Sequence, residues 1–222
     1  MLVAELQHRS RNLVSVVQGV SERTLASSET LDDFRPRFRS RLAALSRVNS
    51  LLSRLEEGNR ITFDQLVQTE LQAHGIVGFD GQGEQVRLSG PEGIRLRSAT
   101  VQTFALAIHE LATNALKHGA LSRPEGRLEV KWSVIPSKSE EGRLRVDWRE
   151  SGVPVVYPET SSVDGVPRRQ GYGRELIERA LPYQLKAQTS YEITPEGVRC
   201  TIIVPVSSTL DVAFSSQGGT DD

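Results

Sequence analysis

Between residues 34 and 55 the apolar side chains Phe34, Phe38, Leu42, Leu45, Val48, Leu52 and Leu55 recur at three- and four-residue steps. Such spacing makes a single stripe only on a helix, where 3.6 residues complete one turn. The stretch before it carries Leu6, Leu13, Val17, Val20 and Leu25 at similar but looser spacing. "LASSETLDD" separates the two, with Thr30 and Asp33 placed as in a capping box. Residues 1 to about 57 hold one proline, Pro36, and one glycine, Gly19. Pro36 lies beyond the first turn, so the second helix is expected to kink or restart there. Two helices with one apolar stripe each cannot build a dry core alone. An antiparallel hairpin pairing with a second copy, as a four-helix bundle, would supply one.

The pattern changes after "EEGNRITFDQLV", with a boundary at Gly58 and Asn59. The spacing predicts a helix over 63–74, short strands near 85–89 and 93–96, and a long helix over 98–118. "RLEVKWSVI" and "RLRVDWRE" alternate apolar and polar residues, as half-buried strands do, and "PSKSEEG" joins them as a hairpin loop. "SGVPVVYPETSSVDGVPRRQGYG" is rich in Gly, Pro and Ser and reads as a long loop. A helix over 173–186 and the strands "TSYEIT" and "VRCTIIVPV", joined by "PEG", complete the pattern. The chain therefore divides into a helical hairpin (1–57), a mixed α and β domain (58–207) and a flexible tail (208–222), an α+β class.

With 37% hydrophobic and 25% charged residues in 222, a real core is possible. Cys200 is the single cysteine, which excludes an internal disulfide and fits a cytoplasmic location. A net charge of −1 offers no argument for nucleic acid. No apolar run approaches the ~20 residues of a membrane-spanning helix, and the N-terminus shows no secretion signal.

"HELATNALKHG", His109 to Gly119, places many polar groups on a helix that should be buried. A zinc motif needs His-Glu-x-x-His, and the fifth residue here is Thr113. Glu110, Asn114 and Lys117 step by four and three and so share one face, flanked by Thr113 and His118. A carboxylate, an amide oxygen and an ammonium together suit a Mg²⁺-bound polyphosphate, although one such helix can equally be a solvated face. Two glycine clusters favour the first reading. "WRESGVP" ends a strand with Glu150 two residues before Gly152, and "GYGRELIERAL" puts Gly171 and Gly173 at a helix start, where backbone N–H groups attract anions. Glu150 could accept from an adenine amino group.

These residues resemble the HWE histidine kinases, a branch of the sensor kinases with the GHKL ATP-binding fold. The resemblance rests on His109 in "HELATNALKHGALS", on Trp148 and Glu150 in "DWRESG", on "GYGRELIERALPYQL", and on "ELQHRSRNLVSVVQ" and "FRSRLAALSRVNSLL" for the helical hairpin. It covers residues 5 to about 205 and implies a GHKL-type α/β sandwich that uses ATP and Mg²⁺. It implies that His8 takes the γ-phosphoryl group and that Asn114 holds Mg²⁺, assisted by Glu110. Lys117 and His118 would bind phosphates, Glu150 and Gly152 would receive adenine, and Gly171 and Gly173 would flank the phosphates. Helix spacing adds that Glu5 and Asn12 share the face of His8. Glu5 could steady the ring, and Asn12 could contact the phosphoryl group or orient water.

The implied partner is the receiver domain of a response regulator, with the chain acting as a homodimer. Only seven residues precede His8, so a sensor domain or input partner is expected to be missing from this chain. Val153 stands where a second glycine is usual, and Arg168, Arg169 and Arg174 have no assigned role. Two alternatives remain open: a phosphotransfer or phosphatase module with weak ATP use, and a GHKL ATPase that does not phosphorylate itself. His74 matches no motif and is expected at a helix end.

Overall fold

The structure, a computed structural model, describes residues 2–53, 60–76, 85–136, 142–153 and 172–206, with 2–12, 98 and 99 described for their backbone alone. Helix α1 (Leu2–Ala26) and helix α2 (Leu31–Ser53) are joined by the turn 27–30 and pack on each other. The turn is capped as the sequence predicts, Thr30 Oγ1 accepting from the Asp33 N–H at 3.1 Å. Pro36 lies inside α2, which is a single helix from Leu31 to Ser53. The boundary at Gly58 and Asn59 and the tail from 208 lie outside the described residues.

Helix α3 (Phe63–Ala73) and helix α4 (Ser98–Lys117) are followed by strands β2 (Arg127–Ile135) and β3 (Arg143–Ser151). Strand β1 (Val86–Ser89) precedes α4, and strands β4 (Gln188–Thr194) and β5 (Gly197–Pro205) end the domain. The sheet order is β1-β2-β3-β5-β4, with β1 parallel to β2 and the other neighbours antiparallel. The register aligns Val130 with Trp148 and Trp148 with Cys200, so bulky residues from three strands form one row. Because successive strand residues face opposite ways, Leu128, Val130, Trp132, Leu144, Val146, Trp148, Ile202 and Val204 are all buried on one face. The opposite face carries charge, with Arg145 Nε on Asp147 at 2.7 Å and Lys131 on Glu129 at 2.8 Å. This is the two-layer α/β sandwich the sequence implied.

Two predicted elements differ. Residues 93–96 alternate like a strand, with Ile94 and Leu96 buried, but make one isolated bridge, Thr62 with Arg95. The segment across from them turns into α3 at Phe63, so no ladder can extend. The predicted helix 173–186 is a composite of α5 (Tyr172–Glu175), a π-helical stretch (Leu176–Ala180) and α6 (Leu181–Leu185). Leu181 N–H donates to the Leu176 carbonyl, and Pro182 follows without an N–H to give. A widened turn relieves the clash between a proline ring and the carbonyl four residues earlier.

The hairpin and the sandwich share one core. Val20, Ala44, Leu45 and Val48 belong to the same buried cluster as Phe63, Phe104 and Leu111. Leu45 and Val48 of the α2 stripe are therefore buried against α3 and α4 of the same chain, while Phe34, Phe38, Leu42 and Leu52 stay half-buried.

Cys200 is buried in the central row, and burial pushes its thiol up to about 12. The thiolate is the reacting species, so a thiol reagent at neutral pH is expected to modify Cys200 only as fast as the protein unfolds. Stoichiometric labelling in native buffer within minutes would contradict that burial.

Candidate active site

Helix α4 lies between the sheet and the hairpin. Phe104, Ala107, Ile108, Leu111 and Ala115 are buried in the core, and the polar face shows a gradient. Glu110 is buried, Asn114 half-buried, and Lys117 and the C-cap His118 are exposed. The shared face of Glu110, Asn114 and Lys117 is as the spacing predicts, and it opens to solvent at the C-terminal end of the helix.

Glu110 is answered by α2. Arg41 Nε donates to Oε1 at 2.7 Å and Nη2 to Oε2 at 3.2 Å, while Nη1 donates to Thr24 Oγ1 at 2.9 Å. The same guanidinium sits 3.7 Å from the ring centroid of Tyr172, whose hydroxyl burial pushes up to about 12. Both carboxylate oxygens thus serve a rigid fork. Glu110 is expected from the sequence to assist a metal or a water; in the folded chain each of its oxygens already accepts from Arg41.

Asn114 meets the second glycine box across α5. Gly173 is buried, and a Cβ there would lie 3.0 Å from Glu110 Cβ and 3.3 Å from Asn114 Nδ2. A side chain there would crowd Glu110 and Asn114, so the close approach of α5 to α4 favours glycine. Gly171 and residues 154–170 lie outside the described residues. Gly152, directly after β3, has φ +77°, a left-handed conformation that suits glycine.

Glu150, at the end of β3, is buried and doubly held. Trp148 Nε1 donates to Oε1 and the Ala120 N–H donates to Oε2, each at 2.9 Å. Ala120 opens the short 3₁₀ turn (Ala120–Ser122) that follows α4, so this carboxylate ties the end of β3 to the end of α4. Burial pushes the carboxyl up, against the opposing pull of the two hydrogen bonds.

His109, the histidine of the motif, faces the hairpin rather than the Asn114 face. Its Nε2 is 2.9 Å from Ser40 Oγ, and its Nδ1 is 3.2 Å from His74 Nε2 and 3.5 Å from Glu70 Oε2. Arg47 holds Glu70 through Nη2 at 2.6 Å and Nε at 3.2 Å. Burial pushes the Glu70 carboxyl up, but the hydrogen bonds from His109 and Arg47 win and hold it below the usual carboxylate range. Burial and the neighbouring His109 bring the His74 imidazole down to about 4, so it is neutral at physiological pH.

His8, Glu5 and Asn12 lie on α1, and their spacing puts the three positions on one helical face. Their side chains lie outside the described residues.

The donor set suits a magnesium nucleotide. Asn114 offers a hard oxygen and Lys117 a cation at the open end of α4. On the same turn, Thr113 Oγ1 is buried and meets no hydrogen-bond partner among the described residues. A buried hydroxyl without a partner is rare in a finished structure and marks a place where a ligand or water completes it.

Several residues of this site escaped the sequence reading: Arg41, Thr24 and Tyr172 around Glu110, and Ser40, Arg47, Glu70 and His74 around His109. A signal for two of them was present. Arg41 sits between Phe38 and Leu45 within the apolar stripe of α2, and Glu70 stands beside Leu66, Val67 and Leu71 in α3. A charge on a buried stripe demands a buried partner.

The arrangement is thus a helical hairpin docked on a two-layer sandwich, with an asparagine-bearing helix, a strand-end carboxylate and a glycine-started helix. The family model of the HWE histidine kinases matches residues 5–92. The chain is 29% identical over 220 residues to a blue-light-activated histidine kinase of Brucella anthropi, a match covering 99% of this chain and 42% of the relative. With the Brucella ovis protein of the same description it is 29% identical over 203 residues, covering 91% and 38%. The blue-light activated histidine kinase of Erythrobacter litoralis has a similar fold, with a TM-score of 0.52 and 19% identity over 90% of this chain and 64% of that one. Its histidine kinase domain alone gives 0.51 and 20%, covering 91% and 90%. Over residues 5–92 the chain is similar to the HWE histidine kinases. It spans about two-fifths of the length of the curated relatives it matches. Among the described residues no helix is long and apolar enough to cross a membrane.

Proposed function

We propose that this chain is an ATP-dependent protein-histidine kinase core that phosphorylates itself on His8. The phosphoryl group would then pass to an aspartate of a response-regulator receiver domain. One observation carries the reading: three segments far apart in sequence converge on the second half of α4. Asn114 lies on that helix, a Cβ on Gly173 would come 3.3 Å from the Asn114 amide nitrogen, and Glu150 is bonded to the turn at the helix end.

In this reading Asn114 would hold Mg²⁺ through its amide oxygen, and the ion when bound would supply neutralisation of phosphate charge. Glu110 would assist, each of its oxygens already accepting from Arg41. Lys117 and His118, exposed at the helix end, contact phosphates, and Gly171 and Gly173 flank them. Glu150 keeps lone pairs beyond its two internal hydrogen bonds and accepts from the adenine amino group beside Gly152. A neutral ring nitrogen of His8 attacks the γ-phosphorus in line, the bond to the β–γ bridging oxygen breaks, ADP leaves, and the ring sheds its other proton. Glu5 steadies the ring and Asn12 contacts the phosphoryl group or a water. Exposed Val14 and Leu25 on α1 and Leu31 on α2 support pairing of two copies through the hairpin, which sedimentation can measure.

The test is incubation with γ-labelled ATP and Mg²⁺. Label that is acid-labile and base-stable is expected on the parent chain, and absent from His8→Ala and Asn114→Ala. ATP turnover without label, lost only in Asn114→Ala, would establish an ATPase instead. Neither label nor turnover, with label accepted from a phosphorylated receiver, would establish a phosphotransfer module.

A further inference from the structure

The zinc motif that fails within α4 is replaced by a constellation across two helices. Glu70 and His74 come from the end of α3, and His109 comes from the middle of α4. One nitrogen or oxygen from each lies within 4.8 Å of the others. His109 Nδ1 is 3.2 Å from His74 Nε2 and 3.5 Å from Glu70 Oε2. A tetrahedral ion with bonds of about 2.0–2.1 Å spaces its ligand atoms about 3.3–3.4 Å apart, so both separations are close to tetrahedral edges.

The surroundings prepare the donors. With an ion bound, Ser40 Oγ, 2.9 Å from His109 Nε2, would accept that nitrogen's proton, and the Nδ1–H that faces Glu70 in the metal-free protein would give way to a lone pair. Outer hydrogen bonds of this kind orient the imidazoles of metal sites. His74, half-buried at the C-cap of α3, places Nε2 3.2 Å from His109 Nδ1. Two imidazoles and one carboxylate favour zinc-like ions over Mg²⁺, which prefers oxygen.

We propose that Glu70, His74 and His109 form a binding site for a divalent transition-metal ion of the zinc class, distinct from the magnesium of the nucleotide site. The ion takes Glu70 Oε2, His74 Nε2 and His109 Nδ1, and leaves its fourth position to water. Arg47 is the competitor, since its Nη2 occupies Glu70 Oε2 and lies 3.4 Å from His109 Nδ1. Its side chain is 28% exposed and can swing outward. Binding therefore exchanges the α2–α3 ion pair for a cross-link between α3 and α4, and loosens one hold of the hairpin on the sandwich.

The experiment titrates the chelator-treated full chain with Co²⁺, follows visible absorption for a four-coordinate N/O site, and displaces the ion with Zn²⁺. One saturable Zn²⁺-displaceable ion per chain is expected. His74→Ala and the milder His74→Gln should each weaken it at least ~10-fold, the low end for disturbing a metal shell. Arg47→Gln should tighten binding, because the competing cation is gone, whereas a merely structural Arg47 would leave it unchanged or weaker. Asn114→Ala should leave Co²⁺ binding unaltered. Absence of a saturable site, binding undiminished in folded His74→Ala and His74→Gln, or binding lost with Asn114→Ala would each overturn the proposal.

Discussion

Replacing Arg41 by alanine is expected to destabilise the protein by about 3–5 kcal/mol, the cost of leaving one member of a buried ion pair without its partner. The side chains of Arg41 and Glu110 are 6% and 10% exposed, so water does little to compensate. The change also strips Thr24 Oγ1 of a donor and Tyr172 of the cation stacked on its ring. Urea unfolding at pH 7, read by circular dichroism, measures the loss through a lower midpoint at unchanged slope. Arg41→Lys should recover only part of it, because an ammonium cannot span both oxygens of Glu110 and Thr24 together. A loss below about 1 kcal/mol for Arg41→Ala would mean that the pair behaves as a surface bridge, with the hairpin open to water.

Trp148→Ala should be of similar size. Trp148 is 1% exposed at the centre of the row that runs from Val130 to Cys200, and truncating such an aromatic costs about 3–5 kcal/mol. Trp148→Phe separates packing from hydrogen bonding. It keeps most of the ring but removes the indole N–H from Glu150 Oε1, and should cost about 1–3 kcal/mol through the buried oxygen left without its donor. Both variants should weaken ATP binding, since Glu150 loses an anchor. If Trp148→Phe were neutral in stability and in nucleotide affinity, the indole would be packing only.

Much of the sandwich was legible because its strands obey a local rule. β2 buries every second residue from Leu128 to Trp132 and β3 from Leu144 to Glu150, and a period of two is visible without knowing the partner strand. α2 and α4 were legible through their three- and four-residue spacing for the same reason. Residues 93–96 follow that rule and still fail to become a strand, because pairing depends on a second segment that becomes helix α3. The composite helix after Tyr172 shows the same limit, since a proline marks where a helix is disturbed but not how the turn before it widens. In the site, residue types and their face on α4 could be read, but their occupants could not. Nothing in the spacing of Glu110 says that an arginine 69 positions earlier meets both its oxygens. Only docking of the hairpin brings the two together.

The double anchoring of Glu150 bears on how base selectivity can be studied in this protein. The carboxylate that would recognise adenine also joins a strand to a helix end, so changing it alters melting and binding at once. A screen that scores activity alone would count a misfolded variant as one with altered base preference. Selectivity is cleaner to probe from the ligand side, by comparing ATP with a purine triphosphate lacking the exocyclic amino group while the polypeptide stays untouched.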